Sequence, residues 1–137
     1  MKILVLCTGN SCRSQMAEGF LRKFMKDRDT VYSAGVRPEP VNRYAIQVMD
    51  EIGIDISGHT SNHVNEYVDK DLDLVLTVCD NAKESCPVFP KPVRMLHQNF
   101  NDPSAAWLEE GEKLDVYRKT RDEIEAYCKA LIPEISS

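Results

Sequence analysis

The sequence has no long apolar run. Its N-terminal run spans only Ile3–Leu6, whereas a membrane-spanning helix needs about 20 apolar residues and a signal peptide needs a longer apolar core. We therefore expect a cytoplasmic protein with no membrane partner. Basic charge is also scarce, because 17 Lys and Arg stand against 22 Asp and Glu for a formal net charge of -5. That balance gives no sign of a nucleic-acid-binding surface.

Metal-ligand motifs are missing as well. The chain has no Cys-x2-Cys pair, and its three histidines, His59, His63 and His97, are scattered without metal-binding spacing. We expect no metal and no bound cofactor. The five cysteines are an odd number and are expected to be free thiols in a reducing compartment, so reactive or redox roles have to be considered for them.

What the sequence does contain is an alternation of strand and helix patterns. Strands are predicted at 2–7, 31–35, 72–79 and 92–98, the first and third apolar enough for a sheet covered on both faces. Helical stripes separate them, and a last helix is predicted at about 109–132. Without repeats or linkers, residues 1–137 are expected to form one domain. The alternation predicts the α/β class, with a doubly wound sheet of about four parallel strands flanked by helices.

Three reactive or charged side chains follow the predicted strands. Cys7 ends the first strand, Cys79 ends the third, and Asp102 lies in the loop after the fourth. Because ligands of doubly wound sheets bind at the carboxyl ends of the strands, we expect these side chains to share one site.

The segment CTGNSCRS, residues 7–14, lies between the first strand and the first helix. Such a loop gathers unpaired N–H groups at a helix N-terminus and holds a tetrahedral oxyanion. Glycine and asparagine in it tolerate positive φ, and the arginine can donate two hydrogen bonds to the anion. The same field favours the thiolate of Cys7, and Ser14 is placed to donate to that sulfur. The predicted oxyanion-binding residues are Thr8, Gly9, Asn10, Ser11, Cys12, Arg13 and Ser14.

A packing role for Cys7, as a buried thiol at a strand end, is the alternative interpretation. Against it, the motif at the N-terminus, the SAG segment at 33–35 and the NDP segment at 101–103 resemble the low-molecular-weight protein tyrosine phosphatase family over essentially the whole chain. The resemblance implies that fold, with Cys7 as nucleophile, Arg13 as oxyanion clamp and Ser14 as the hydroxyl that stabilises the thiolate. It also implies that Asn10 shapes the loop and that Asp102 protonates a leaving group.

Two further cysteines, Cys79 and Cys86, lie seven positions apart. If Cys7 forms an adduct with an oxyanion whose central atom can be reduced, a second thiolate must attack the Cys7 sulfur and expel that atom with two extra electrons. Cys79 is the candidate for this attack, and Cys86 is the candidate for attacking Cys79 in turn. Residues 80–92 contain three prolines, which predicts a weakly anchored loop that lets Cys86 move. A surface loop with one incidental cysteine is the alternative.

The three cysteines, with GIDIS at 53–57 and FNDPS at 100–104, resemble the thioredoxin-coupled arsenate reductases, which share the phosphatase fold. The resemblance implies reduction of arsenate to arsenite, with phosphate or sulfate as binding analogues. It also implies that the segment between the two later cysteines refolds and that thioredoxin supplies the electrons by reducing their disulfide. We expect a monomer. The expected catalytic residues are Cys7, Arg13, Cys79, Cys86 and Asp102.

Two other functions stay open. A phosphotyrosine phosphatase of this family usually has aromatic residues after its Asp-Pro pair, but Ser104, Ala105 and Ala106 stand there and Trp107 comes later. A noncatalytic oxyanion-binding or redox-sensing module would be expected to lose Cys7, Arg13 or Asp102, all of which are present.

Some members of the reductase subfamily bind potassium beside the oxyanion loop. Asn10, Ser33 and Thr60 match the expected ligands, but Asn62 stands where an acidic ligand would be. A neutral amide weakens binding of a monovalent cation, so we predict no functional potassium site. Of the remaining cysteines, Cys12 is expected to be structural or incidental, and Cys128 lies on the apolar stripe of the last helix, as a packed core thiol would.

Overall fold

The computed structural model describes residues 1–26, 29–104 and 107–135. Its strands are β1 (Lys2–Cys7), β2 (Thr30–Gly35), β3 (Leu74–Thr77) and β4 (Arg94–His97). Its helices are α1 (Arg13–Phe24), α2 (Arg43–Asp50), α3 (Asp80–Glu84) and α4 (Glu110–Ile135), with a 3-10 helix at Val64–Glu66. The positions of Ala105 and Ala106, which entered the comparison with phosphatases, lie outside the described residues.

The four strands form one parallel sheet in the order β2-β1-β3-β4. β1 pairs with β2 from Lys2 opposite Thr30 to the end of both strands, and with β3 as far as Leu6 opposite Thr77. The chain thus moves from β1 to one side and then crosses to the other, which makes the β1/β3 edge the switch point where such sheets bind ligands. The predicted α/β class with four parallel strands flanked by helices is confirmed.

Burial follows the apolar pattern of the strands. Residues 3–7 of β1 and all four residues of β3 are buried, as expected for central strands covered on both faces. β4 forms the edge of the sheet, and its first two residues, Arg94 and Met95, are exposed. The central pair therefore anchors the site, while the edge strand is open to solvent.

Strand β3 ends two residues earlier than predicted, and this changes the segment that follows. Cys79 is not a strand residue but the N-cap of α3. The prediction of a loop at 80–92 is wrong for its first part, because residues 80–84 form a helix with Ala82 buried beneath it. The prolines that suggested a loop come only after this helix, at 87, 90 and 92, and residues 80–84 contain no glycine or proline to break it.

The helix boundaries also differ slightly from the sequence pattern. α2 begins after Asn42, whose side-chain oxygen accepts hydrogen bonds from the N–H groups of Tyr44 (2.8 Å) and Ala45 (3.1 Å). α4 continues through Pro133 to Ile135, past the predicted end. Among the described residues, no helix is both long and apolar enough to cross a membrane.

Gly35, at the end of β2, lies close to the loop after β1, and replacing it with alanine tests the importance of this close approach. A Cβ there would lie 2.7 Å from the Thr8 carbonyl oxygen and 2.9 Å from the Asn10 nitrogen. Because both are backbone atoms of the loop after β1, we expect Gly35→Ala to lower the free energy of unfolding by about 1–3 kcal/mol and to weaken anion binding. Urea denaturation and phosphate binding measure the two effects.

Gly58→Ala is the matched control, because Gly58 is exposed and a Cβ there meets nothing within 4 Å. Its unfolding free energy should stay within about 0.5 kcal/mol of the wild type. If Gly35→Ala and Gly58→Ala have the same free energy of unfolding and the same affinity for phosphate, the close approach at Gly35 does not matter for stability or binding.

Candidate active site

The loop between β1 and α1 forms a cradle lined by backbone N–H groups. Asn10 adopts a left-handed conformation with φ of 49°. Three carbonyl oxygens of the loop accept hydrogen bonds from the segment after β2: Thr8 from Arg37 N (2.9 Å), Gly9 from Glu39 N (2.8 Å) and Ser11 from Asn42 N (2.8 Å). Among the described residues, the N–H groups of residues 9–12 have no acceptor. These donors and the N-terminus of α1 are therefore available to an anion.

Arg13 and Asp102 meet at the mouth of this cradle. One guanidinium nitrogen of Arg13 donates to the Phe100 carbonyl oxygen at 2.9 Å, and the other lies 3.8 Å from Asp102 Oδ2. The second oxygen of Asp102 accepts from the N–H (2.9 Å) and the hydroxyl (2.7 Å) of Ser104. The structure thus brings together the cradle, the arginine and the acid that the sequence placed at separate strand ends, around a cavity of about 270 Å³.

Asn10 is held from below by two buried side chains. Ser14 Oγ donates to Asn10 Oδ1 at 2.8 Å, and Gln15 Nε2 donates to the Asn10 carbonyl oxygen at 2.9 Å. The predicted hydrogen bond from Ser14 to the Cys7 sulfur is not formed, because a hydroxyl has one proton and the left-handed turn brings the Asn10 amide oxygen onto it. Ser14 supports the loop rather than the thiol.

Cys7 and Cys79 lie at the β1/β3 switch point, and each of the two sulfurs shifts the pKa of the other. Both are buried, with 4% and 3% of their surface exposed. Thr8 Oγ1 lies 3.2 Å from Cys79 Sγ and accepts a hydrogen bond from Asn81 Nδ2 at 3.0 Å. The Thr8 proton is therefore free to point at Cys79, which extends a chain of polarised hydrogen bonds to that sulfur.

The two thiols share one negative charge. The hydrogen bond from Cys7 lowers the pKa of Cys79 to about 5, with further help from the Thr8 hydroxyl, the Ala82 N–H and Arg13. The same hydrogen bond, together with burial, raises the pKa of Cys7 above its ordinary value, although Arg13 acts in the opposite direction. Because each sulfur shifts the pKa of the other, the two thiols titrate together as a pair.

The other cysteines do not belong to this pair. Cys86 lies beyond α3, half-buried, with its sulfur 3.6 Å from the Pro87 carbonyl oxygen, and burial raises its pKa. Cys12 is buried at the N-cap of α1, where burial also raises its pKa. Cys128 is buried in α4 as predicted, and burial raises its pKa to about 12. All five thiols are free.

A buried polar network behind the cradle was not predicted. Gln15 Nε2 donates to the Thr60 carbonyl oxygen at 3.0 Å, and Gln15 Oε1 lies 3.0 Å from His59 Nδ1, whose other ring nitrogen is 3.6 Å from Glu18. Two more donors reach the Glu18 carboxylate, Ser33 Oγ at 2.6 Å and Arg22 Nε at 2.7 Å. The signal in the sequence was a polar residue, Gln15, on the apolar face of the first helix, directly after the motif.

A cysteine beside an anion cradle, with an arginine at the cradle's end and a carboxylic acid at its mouth, is the arrangement of enzymes that attack tetrahedral oxyanions through a thiolate. Residues 2–137 match the family described as low molecular weight phosphotyrosine protein phosphatase. The chain belongs to this family.

Relatives within the family divide between two chemistries. An arsenate reductase of Halalkalibacterium halodurans is 47% identical over 122 residues, which are 89% of this chain and 88% of the relative. A solved arsenate reductase in the phosphate binding state is 33% identical with a TM-score of 0.77, covering 98% of each chain. The arginine phosphatase YwlE, solved as a C7S mutant, is 25% identical with a TM-score of 0.80, covering 100% of this chain and 97% of its own.

The lowered pKa of Cys79 predicts a titration that ultraviolet absorbance can follow. At neutral pH the protein should show the ultraviolet absorbance of one thiolate, and this absorbance should disappear as the pH falls through about 5, because the pKa of Cys79 is lowered to that value. Cys79→Ser should abolish the transition, whereas Cys86→Ser should leave it in place. Cys7→Ala should move the midpoint upward, since it removes the largest cause of the lowered pKa. A wild-type midpoint near the ordinary thiol pKa would contradict the lowered pKa of Cys79.

We also expect the rate of the enzymatic reaction to be the same in potassium and sodium salts. Asn10 Oδ1 already accepts hydrogen bonds from Ser14 and Gln15, and the Glu18 carboxylate is already paired with Arg22. These oxygens are poorly available to a cation, and the Asn62 amide oxygen accepts from Thr60 at 2.7 Å. Rates at fixed ionic strength measure the effect, and a severalfold increase with potassium would show this prediction to be wrong.

Proposed function

We propose that this protein reduces arsenate to arsenite by a relay of three cysteines, with Cys7 as nucleophile. The observation that carries the proposal is that two buried thiols, Cys7 and Cys79, interact beside the oxyanion cradle. Ester hydrolysis needs only one thiol there. Reduction of a central atom needs two thiols within reach of each other. The 47% identity to an arsenate reductase of Halalkalibacterium halodurans supports the proposal.

The first step is attack on arsenic. Arsenate, or phosphate or sulfate as an unreactive analogue, accepts hydrogen bonds from the N–H groups of residues 9–12 and from Arg13, a donor set suited to a tetrahedral oxyanion. Cys79, which carries the negative charge of the pair, accepts the proton of Cys7 as that sulfur attacks. Asp102 at the mouth protonates the departing oxygen, which leaves as water.

The second step transfers two electrons. Cys79 loses the proton that it accepted to solvent, and its thiolate then attacks the Cys7 sulfur; the sulfur–arsenic bond breaks, and its electron pair stays on arsenic, which leaves as arsenite. One arsenate and two thiols thus give one arsenite, one disulfide and one water. Cys86 then attacks Cys79, so that the Cys79–Cys86 bond forms and Cys7 leaves as a thiolate.

Thioredoxin is the proposed reductant of the final disulfide. Cys86 lies in a segment without helix or strand, next to Val88, whose surface is 94% exposed. A disulfide that includes Cys86 is therefore closer to solvent than the buried pair of Cys7 and Cys79. Thiol–disulfide exchange requires an external thiolate to reach one sulfur in line, and Cys86 offers that access.

Hydrolysis of phosphate esters is a second candidate function. The cradle, Arg13 and Asp102 suffice for a phosphoenzyme at Cys7, and the arginine phosphatase relative has a similar fold. Among the described residues that line the cavity, none is aromatic, while Arg37 and Glu39 stand at its edge. A tyrosyl ring would find no aromatic wall there, so we expect ester hydrolysis only as a weak side activity.

Cysteine variants distinguish the two functions. NADPH consumption with thioredoxin, thioredoxin reductase and arsenate is measured beside hydrolysis of p-nitrophenyl phosphate. Cys7→Ser should remove both activities, because both begin with attack by that sulfur. Cys79→Ser and Cys86→Ser should stop multiple turnover of arsenate yet leave slow ester hydrolysis.

Cys128→Ala is the control, since it removes a buried thiol far along the chain in α4 and should preserve both activities. Normal thioredoxin-coupled turnover by Cys86→Ser would contradict the relay. Brisk ester cleavage without arsenate-dependent NADPH loss in the wild type would favour the phosphatase.

A further inference from the structure

A hydrogen bond between His97 and Asp80 joins the first residue of α3 to the edge strand. His97 Nε2 lies 2.7 Å from Asp80 Oδ1, and the other ring nitrogen of His97 lies 2.6 Å from the Thr77 hydroxyl at the end of β3. Asp80 directly follows Cys79 in the chain. The imidazole is partly buried between β3 and α3, so it links the resolving cysteine's helix to the sheet. No step described above uses this contact.

Helix α3 separates Cys79 from Cys86 in the reduced protein. The six steps from the N-cap Cys79 to the C-cap Ser85 add about 9 Å along the helix axis at about 1.5 Å each, with Cys86 one residue further on, whereas a disulfide requires Cα atoms within about 7 Å. The attack of Cys86 on Cys79 in the proposed function therefore requires α3 to open. The strength of the contacts that keep α3 closed then controls the rate of this step.

Few contacts hold α3 closed. At five residues it is too short to be stable by itself, and its buried side chain is Ala82. Three side-chain contacts fix its first turn: Asp80 to His97, Asp80 N to Asn99 Oδ1 at 3.2 Å, and Asn81 to Thr8. Of these, the contact with His97 is the shortest, at 2.7 Å, and the ring is braced by Thr77 from the sheet.

We propose that His97 is a positioning residue for the third step of the relay: through Asp80 it keeps α3 closed, and release of this hydrogen bond accompanies the attack of Cys86 on Cys79. This proposal rests on the proposed function. In that step the Cys86 thiolate, after losing its proton to solvent, bonds to the Cys79 sulfur and the Cys7–Cys79 bond breaks. Cys7 leaves with the electron pair, so the protein undergoes no net oxidation or reduction.

Two variants weaken the hydrogen bond without touching the cradle. His97→Phe keeps an aromatic ring of similar size but removes both hydrogen bonds, and Asp80→Asn keeps the shape of the partner while removing its charge. Asp71→Asn is the matched control, because Asp71 pairs with Lys91 in the same exposed region of the chain but does not contact α3.

The first readout is hydrogen exchange of the amides of residues 80–85 in the reduced protein, which reports the opening of α3. The second is a single turnover with arsenate and no thioredoxin, in which arsenite release and the Cys79–Cys86 disulfide are quantified over time. Hydrolysis of p-nitrophenyl phosphate is measured in parallel as a reaction that does not need α3 to open.

We expect His97→Phe to speed both the exchange and the formation of the Cys79–Cys86 disulfide about two- to fivefold, since a partly exposed hydrogen bond stabilises a contact only modestly. Asp80→Asn should give a smaller increase in the same direction. Arsenite release in the single turnover and ester hydrolysis should be unchanged, which a general loss of structure would not allow. Asp71→Asn should match the wild type.

Unchanged exchange and unchanged disulfide formation in both variants, or an equal acceleration in Asp71→Asn, would overturn the role of His97. Failure of the proposed function has a different signature. If the wild type releases no arsenite, the relay is wrong, and the hydrogen exchange of the reduced protein still decides whether His97 holds α3 closed.

Discussion

The site depends on the parallel register of β1 between β2 and β3. This register places Cys7 opposite Gly35 on one side, and Leu6 opposite Thr77 on the other. A residue without a side chain on the first side leaves room for the cradle loop, whose Asn10 turns into the left-handed region there. On the second side the chain leaves β3 and brings Cys79 against Cys7. The anion cradle and Cys79 therefore lie together because β1 has β2 on one side and β3 on the other.

A buried negative charge needs compensation in a protein with a formal net charge of -5. The Thr8 hydroxyl, the Ala82 N–H in the first turn of α3 and the guanidinium of Arg13 supply it for the Cys79 thiolate. In the proposed relay, the same first turn of α3 therefore stabilises the charge that starts the reaction and opens for the relay to end. A short helix fixed by a few polar contacts satisfies both needs, because such contacts are strong enough to position a side chain and weak enough to break.

Much of the site was predictable from local pattern. Cys7 and Arg13 belong to one loop whose chemistry follows from residue type and spacing, and Asp102 follows a predicted strand. Ser14 was assigned to the wrong partner, since only the left-handed turn at Asn10 reveals which acceptor its hydroxyl reaches. Residues 80–84 were read as a loop, because the prolines that follow them outweighed a five-residue helical segment that has too few positions to show a period.

By itself, the sequence determined the alternation of strands and helices, the oxyanion loop and the set of thiols available for a relay, because these are properties of residue type and spacing. Tertiary structure decided which thiols lie near each other, in which direction each shifts the pKa of the other, and which side chains Gln15 and His97 contact. Contacts such as those of His97 with Thr77 and Asp80 join residues 20 and 17 positions apart. No local pattern encodes such contacts, because they arise only when the edge strand packs beside α3.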